Sequence, residues 1–351
     1  MASIDSLPLT ARTTRAERHA GVRVWLVAVA ALVFAMVLVG GATRVTESGL
    51  SITQWKPVTG VVPPLNAADW QAEFDRYKEI PQFARLNPDM TMEGFKSIFW
   101  WEWSHRLLAR IVGAAFVLPA LWFWMRGRFK GALGRAVAVA TGLLALEPIV
   151  GWWMVTSGLS ERTEVAQERL ALHLLIAAAT FGALVYAAVG LSERARAAVP
   201  RGFASSAAAF AFLVWLQLGL GALVAGLRAG LIYDTWPLMG SRFLPAEAFG
   251  SLRAMLDDPA TAQFDHRMIA YVLVAFALLQ AAAALRSAPQ ALARRTALLA
   301  GVAALQAGIG VATLIFSVPI TLALAHQATA LALFGLAVWH WRATLMERGA
   351  D

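Results

Sequence analysis

Eight apolar runs separated by polar segments set the hydropathy pattern of this chain, at roughly 23–43, 101–124, 134–156, 170–190, 204–227, 265–285, 295–316 and 319–341. A helix rising about 1.5 Å per residue needs about 20 residues to cross about 30 Å of hydrocarbon, so each run predicts a transmembrane helix. The expected fold class is an all-α integral membrane protein with eight spans. The longest connection, 44–100, carries Pro63 and Pro64, then a stretch from Asn66 to Ile80 with Trp70, Phe74 and Tyr77 on one stripe. That stripe predicts an amphipathic helix lying across the mouth of the bundle, and Asn66 with Asp69 suits its start. Phe99, Trp100, Trp101 and Trp103 predict an aromatic belt, and a lesser counterpart of the cap falls near 245–256.

Composition narrows the class: 59% hydrophobic residues, 15% charged residues and a mean hydropathy of +0.60 exclude an ordinary soluble domain. The formal charge of +8 then reads as topology. Arg12, Arg15, Arg18 and Arg23 share one set of helix ends with Arg126, Arg128, Lys130, Arg135, Arg194, Arg196, Arg201, Arg286, Arg294 and Arg295. The opposite loops hold Asp69, Glu73, Asp75, Glu79, Glu161, Glu164, Asp257 and Asp258. Basic short loops stay in the cytoplasm, so both termini are expected there, with contact to anionic membrane lipid. Nothing resembles a nucleic-acid module. The first run is too long for a signal-peptide core and is expected to remain as an anchor. The short tail before it favours a bacterial inner membrane over an organelle. The chain has no cysteine, which excludes disulfides, thiolate nucleophiles, iron–sulfur ligation and thiolate-ligated haem.

The eight runs repeat as two sets of four. His105 and His266 open the similar segments WEWSHRLLARIVG and QFDHRMIAYVLV, 161 residues apart, and His173 and His326 follow 153 residues apart. Between them Glu147 to Gly151 aligns with Gln306 to Gly310, at an offset of 159, and Gly49, Leu50, Trp55, Pro57 and Gly60 resemble Gly230, Leu231, Trp236, Pro237 and Gly240. Equal helix number makes the halves run in the same sense, related by an axis near the membrane normal. The expected organisation is a cytoplasmic tail 1–22, a first four-helix bundle 23–190, a cytoplasmic linker 191–203, a second bundle 204–341 and a tail 342–351.

Four of the six histidines sit at the outer, periplasmic ends of even-numbered runs: His105, His173 and His266 within about one turn of the start and His326 about two turns in. Ionisable groups inside a membrane are costly and tend to be functional, whereas His19 and His340 at the cytoplasmic ends suit ordinary interfacial roles. Imidazole is the usual axial ligand of haem iron, and bundles draw such ligands from facing helices. Zinc or copper would need further ligands that the second half lacks, whereas haem brings four of its own. Two haem sites are expected.

The halves differ beside these histidines. Glu102 stands three residues before His105, on its helical face, where Gln263 precedes His266. A carboxylate there can act as a general base or steady positive charge, and an amide cannot take a proton at neutral pH. The first half is therefore expected to carry a reaction and the second to hold a haem for electron transfer or structure. An interfacial carboxylate facing headgroups is the plainer reading of Glu102. Glu147, mid-span beside Pro148, fits either a proton relay or a protonated, hydrogen-bonded side chain. Arg106 and Arg267 fit either partners of haem propionates or snorkelling side chains. A bis-histidine cytochrome exchanging electrons with quinone is the alternative to an enzyme, and a haem-insertion chaperone is a third reading.

GGATRVTESGLSITQWKPVTGVVPPLN, WEWSHRLLARIVG, GALVAGLRAGLIYDTWPLMG and FDHRMIAYVL together resemble the heme A synthase family, in its alphaproteobacterial and mitochondrial branch, over nearly all of the chain. The resemblance implies a membrane-bound oxidoreductase of cytochrome oxidase assembly. Its reaction would oxidise the C8 methyl of heme O to the formyl of heme A by two hydroxylations and a dehydration. It also implies that His266 and His326 ligate a heme b cofactor, that His105 and His173 flank the substrate haem, and that Glu102 is the catalytic carboxylate. By the same analogy the partners include heme O synthase and an electron carrier, and a homo-oligomer is compatible. Other branches carry a cysteine pair in an outer loop that this sequence lacks.

Overall fold

The computed structural model describes residues 15–192, 196–245, 251 and 253–349. Arg12, Arg194, residues 246–250 of the expected second cap and the ends of both tails lie outside the described residues. The helices are α1 (Arg15–Val45), α2 (Ala67–Lys78), α3 (Pro81–Leu86), α4 (Met92–Met125), α5 (Gly131–Thr156), α6 (Gln167–Gly190), α7 (Phe203–Gly226), α8 (Ala254–Asp257), α9 (Pro259–Ser287), α10 (Gln290–Ile315) and α11 (Ile320–Arg348). Among the described residues, eight of them (α1, α4 to α7 and α9 to α11) are long and apolar enough to cross a membrane, and no strand forms.

Local chemistry moves three helix ends away from the expected spans. α4 starts nine residues early because Thr91 caps it, accepting from the Gly94 N–H at 3.2 Å, and because Phe95 and Phe99 are buried against α2. α9 starts at Pro259 behind the cap Asp258, which accepts from the Thr261 N–H at 2.7 Å. α11 runs past 341 because Glu347 is held in the protein by Arg295 of α10 through two hydrogen bonds, at 2.7 and 2.5 Å. It ends on Gly349, whose φ of 75° suits a residue without Cβ.

The cap over the first half forms as the stripe predicts. Asn66 accepts from the Asp69 N–H at 2.9 Å; Trp70 of α2 packs edge-on against Phe99 and Phe74 and Tyr77 pack on Phe95, at ring separations of 4.9, 5.0 and 5.4 Å. The second-half counterpart is short, α8 alone among the described residues.

α1, α6, α7 and α11 form the interior of the molecule, with Leu26, Leu184, Phe210 and Leu331 at its centre. Within the second half, α9 packs on α7, α7 on α11, α11 on α10 and α10 back on α9, a closed ring. Within the first half, α4 packs on α1, α1 on α6 and α6 on α5, but α4 and α5 make almost no backbone contact, so the ring is an open arc.

Contacts between the halves are reciprocal. Phe181 fills the space a Cβ would take at Gly335, and Phe334 does the same at Gly182, both at 2.9 Å. These pairs keep the 153-residue offset of His173 and His326, as a two-fold interface requires. Glu47 and Arg228, 181 residues apart, both take left-handed backbone (φ 54° and 50°) and pair with each other at 2.6 Å. Glu164 joins them by bonding both Arg228 and Arg44.

Candidate functional site

Each of the four histidines rests against a glycine on the preceding long helix. A Cβ at Gly40 of α1 would lie 3.1 Å from His105 Nε2, and one at Gly151 of α5 3.1 Å from His173 Cε1. The same holds for Gly221 of α7 against His266 Cε1, at 3.1 Å, and Gly310 of α10 against His326 Cε1, at 2.7 Å. The rings thus occupy room that any other residue would fill, which fixes their inward direction. Sequence repeats contained the signal, since Gly151 and Gly310 align, but gave no means of pairing a glycine with a ring.

His266 and His326 lie with ring centres 6.3 Å apart and planes at 78°. Two imidazoles each bound to one metal at about 2 Å have ring centres roughly 6 Å apart. That spacing would let the two imidazoles hold one haem iron between them. His105 and His173 are near neighbours within the first half. Among the described residues no three histidine, cysteine, aspartate or glutamate side chains gather to hold a bare metal ion. That donor set suits a porphyrin iron better than zinc or copper.

The depth departs from expectation at His105, His173 and His266, most of all at His105, while His326 keeps its expected two turns. His105 is more than three turns inside α4, whereas His173, His266 and His326 lie about two turns inside theirs. The early start of α4 accounts for the depth of His105, since its first turns belong to the contact with α2.

Glu102 is buried, with 3% of its surface exposed, and its carboxylate is saturated. Oε2 accepts from Ser51 Oγ at 2.8 Å and the Ile52 N–H at 2.7 Å, while Oε1 accepts from Arg106 Nε at 3.0 Å and its terminal nitrogen at 2.6 Å. Gln263 reaches the equivalent loop: its amide donates to the Tyr233 carbonyl at 2.9 Å, and Tyr233 is 181 residues after Ile52. Its Oε1 is buried without a partner. Both side chains anchor the loop after the first long helix of their own half, and only the first is a carboxylate.

Arg106 and Arg267 are committed to the same loops. Arg106 donates to the carbonyls of Ile52 and Gln54 at 2.7 and 3.0 Å, and Arg267 to those of Tyr233 and Thr235, both at 3.0 Å. A propionate would have to share these guanidiniums with backbone carbonyls.

Glu147 meets a histidine, which its position in the sequence did not disclose. Its Oε2 is 2.6 Å from His173 Nδ1, oblique to the ring N–H, and the other oxygen is buried and unpartnered. In the second half the Gln306 amide lies 3.0 Å from His326 Nδ1 and 3.3 Å from its Nε2. His340 is fully buried at the other end of α11 and belongs to neither pair.

The chain is similar to known proteins over most of its length. Residues 23–338 match the COX15-CtaA family model, described as cytochrome oxidase assembly protein. The chain is 52% identical over 322 residues to the heme A synthase of Rhodopseudomonas palustris (strain BisA53), covering 90% of this chain and 89% of that protein. It is 48% identical over 349 residues to the heme A synthase of Mesorhizobium japonicum, covering 98% and 96%. It is 47% identical over 339 residues to that of Brucella ovis, covering 95% and 94%.

Proposed function

The chain belongs to the COX15-CtaA family of cytochrome oxidase assembly proteins, and we propose that its two halves divide the work of a heme A synthase between them. Its activity is the oxidation of heme O to heme A in a membrane. The C8 methyl becomes a formyl through two hydroxylations, each taking one oxygen from water and releasing two protons to solvent and two electrons to a carrier outside the chain, and the resulting geminal diol loses water. In our reading heme O lies between His105 and His173, and heme b lies between His266 and His326. When bound, heme b supplies one-electron transfer.

The observation that carries this division is the exchange of carboxylate for amide at equivalent places: Glu102 and Glu147 in one half, Gln263 and Gln306 in the other. A second support is the packing. The half that must admit and release a haem is the one open along α4 and α5, and the half that keeps its haem is closed all round.

The chain's own residues then act as follows. Gly40 and Gly151 hold the His105 and His173 rings inward, which sets the plane of the substrate. Glu102, one turn before His105, is a fixed negative charge aimed by Ser51, Ile52 and Arg106, and it steadies positive charge developing at the reacting carbon. Acting as a proton acceptor, it would first give up one of these contacts. The loop 44–65 and α2 exclude water from the outer side. The distribution of Arg and acid supports cytoplasmic termini and haem pairs facing the periplasm of a bacterial inner membrane.

Glu102→Gln tests the reading in purified protein supplied with heme O. The expected result is a fall of about 100-fold or more in heme A formation, the scale of losing one preorganised electrostatic contact, with heme b retained. Heme A formed at the normal rate would refute an essential charge at 102. A bis-histidine cytochrome without haem chemistry would give no formyl product from either protein.

A further inference from the structure

Glu147 and Gln306 touch the Nδ1 atoms of equivalent histidines, and they differ in what they can do there. A carboxylate only accepts a hydrogen bond, whereas an amide can present either a donor or an acceptor. Glu147 Oε2 lies 2.6 Å from His173 Nδ1 but off the line of the ring N–H, a charge contact rather than a formed hydrogen bond; a carboxylate so close still favours the tautomer with its hydrogen on Nδ1 and the Nε2 lone pair free. The Gln306 amide nitrogen lies within hydrogen-bond distance of both ring nitrogens of His326, and rotation of the amide brings its oxygen to Nδ1 instead. Neither Glu147 Oε1 nor Gln306 Oε1 has another partner, so each side chain is committed to its histidine.

Both residues share a helix and a face with the glycine that backs the same ring. Glu147 precedes Gly151 by four residues and Gln306 precedes Gly310 by four, so one turn of helix supplies both the niche and the Nδ1 partner. Carboxylates on the outer nitrogen of a ligating histidine fix its tautomer and increase its electron donation to the metal. An anionic partner therefore favours the more oxidised iron, and a neutral amide does so less.

We propose that Glu147 is a positioning residue that makes His173 the stronger donor, and that the Glu147 and Gln306 difference sets the iron of the substrate half at a lower reduction potential than that of the resident haem. The proposal rests on His173 and His326 being haem ligands. It gives Glu147 a task that is separate from the carboxylate beside His105, because it acts through the iron ligand and not on the reacting carbon.

Reciprocal exchange tests it in full-length protein, with midpoint potentials read by optical titration after heme O is supplied. Glu147→Gln should raise the potential of the first-half haem and leave heme b unmoved. Gln306→Glu should lower the potential of heme b, a measurement that needs no substrate and survives a Glu147 variant that fails to fold. Glu147→Asp should restore part of the wild-type value. A role in packing alone would change haem content without moving the potential of the haem that remains. Unmoved potentials in Gln306→Glu, with heme b bound, would overturn the proposal. His173→Ala distinguishes the failure of the underlying reading: a first-half haem spectrum insensitive to that change would overturn the ligand assignment itself.

Discussion

A missing methyl group directs each imidazole. The niches at Gly40, Gly151, Gly221 and Gly310 leave 2.7 to 3.1 Å between a hypothetical Cβ and the ring, less than van der Waals contact, so alanine at any of them must push the ring aside. Gly310 is the tightest, and it can be compared with Gly301 on the same helix, where a Cβ meets nothing. Overpacking of this kind costs about 1–3 kcal/mol, which borne by the haem-bound state amounts to roughly 10- to 100-fold weaker haem retention. On the proposed ligation by His326, Gly310→Ala is expected to lose the second-half haem or to shift its absorption spectrum, and Gly301→Ala to do neither. Equal spectra for the two variants would show that the ring is not held by the niche. The four histidines and the Glu102 to Gln263 exchange were legible from the chain, because they sit at fixed offsets in a repeat. The partners of those residues were not, since Gly40 and His105, or Glu147 and His173, meet only once helices pack.

Helices add information that hydropathy omits. Eight spans follow from apolar length alone, but the starts of α4 and α9 are set by the caps Thr91 and Asp258, and the pairing that closes one ring and opens the other has no signature in any one helix. α2 was readable because its stripe and its Asn66 cap are local. Its attachment has a testable pH dependence through Glu73, which Lys56 and Arg76 contact at 3.0 and 2.6 Å. Burial pushes the Glu73 carboxyl up, and the hydrogen bonds and charges of Arg76 and Lys56 outweigh it and hold the group below its ordinary 4.5. A depressed carboxylate stabilises the folded loop above that ordinary value, and the contribution is lost as pH falls through the lowered one. Emission from Trp70, packed on Phe99, should therefore change on acidification below about pH 4.5, and Glu73→Gln should flatten that change. A profile identical in the variant would assign the transition to another group. The inter-half contacts make a separate prediction. Gly182→Ala and Gly335→Ala each drive a methyl into the opposing phenylalanine at equivalent places, so each should destabilise the protein by about 1–3 kcal/mol in detergent melts. Widely different losses would contradict reciprocal packing.

At the scale of the whole molecule, the proposed division of work between the two halves agrees with the different ways in which their helices close. A haem between α7, α9, α10 and α11 can leave only by parting helices that pack around a full circuit. A haem held as proposed between α1, α4, α5 and α6 would face a seam where α4 and α5 are apart, on helices that expose apolar residues such as Ile111, Leu118, Leu146 and Ile149. A prenylated porphyrin is itself a membrane solute, so such a seam lets it approach from the bilayer without crossing the capped outer face. Local opening rates follow the contacts that must break, and the second half has more of them. Purified protein incubated with isotopically labelled heme O and heme b should therefore exchange the haem of the first half much faster than that of the second, as read by mass spectrometry of the extracted pigments. The difference should persist in Glu102→Gln, which keeps both pairs of imidazoles but slows chemistry, so that exchange is not confused with turnover. Equal exchange in both halves would mean that the open seam does not govern passage, and faster exchange of heme b would reverse the assignment of the two halves.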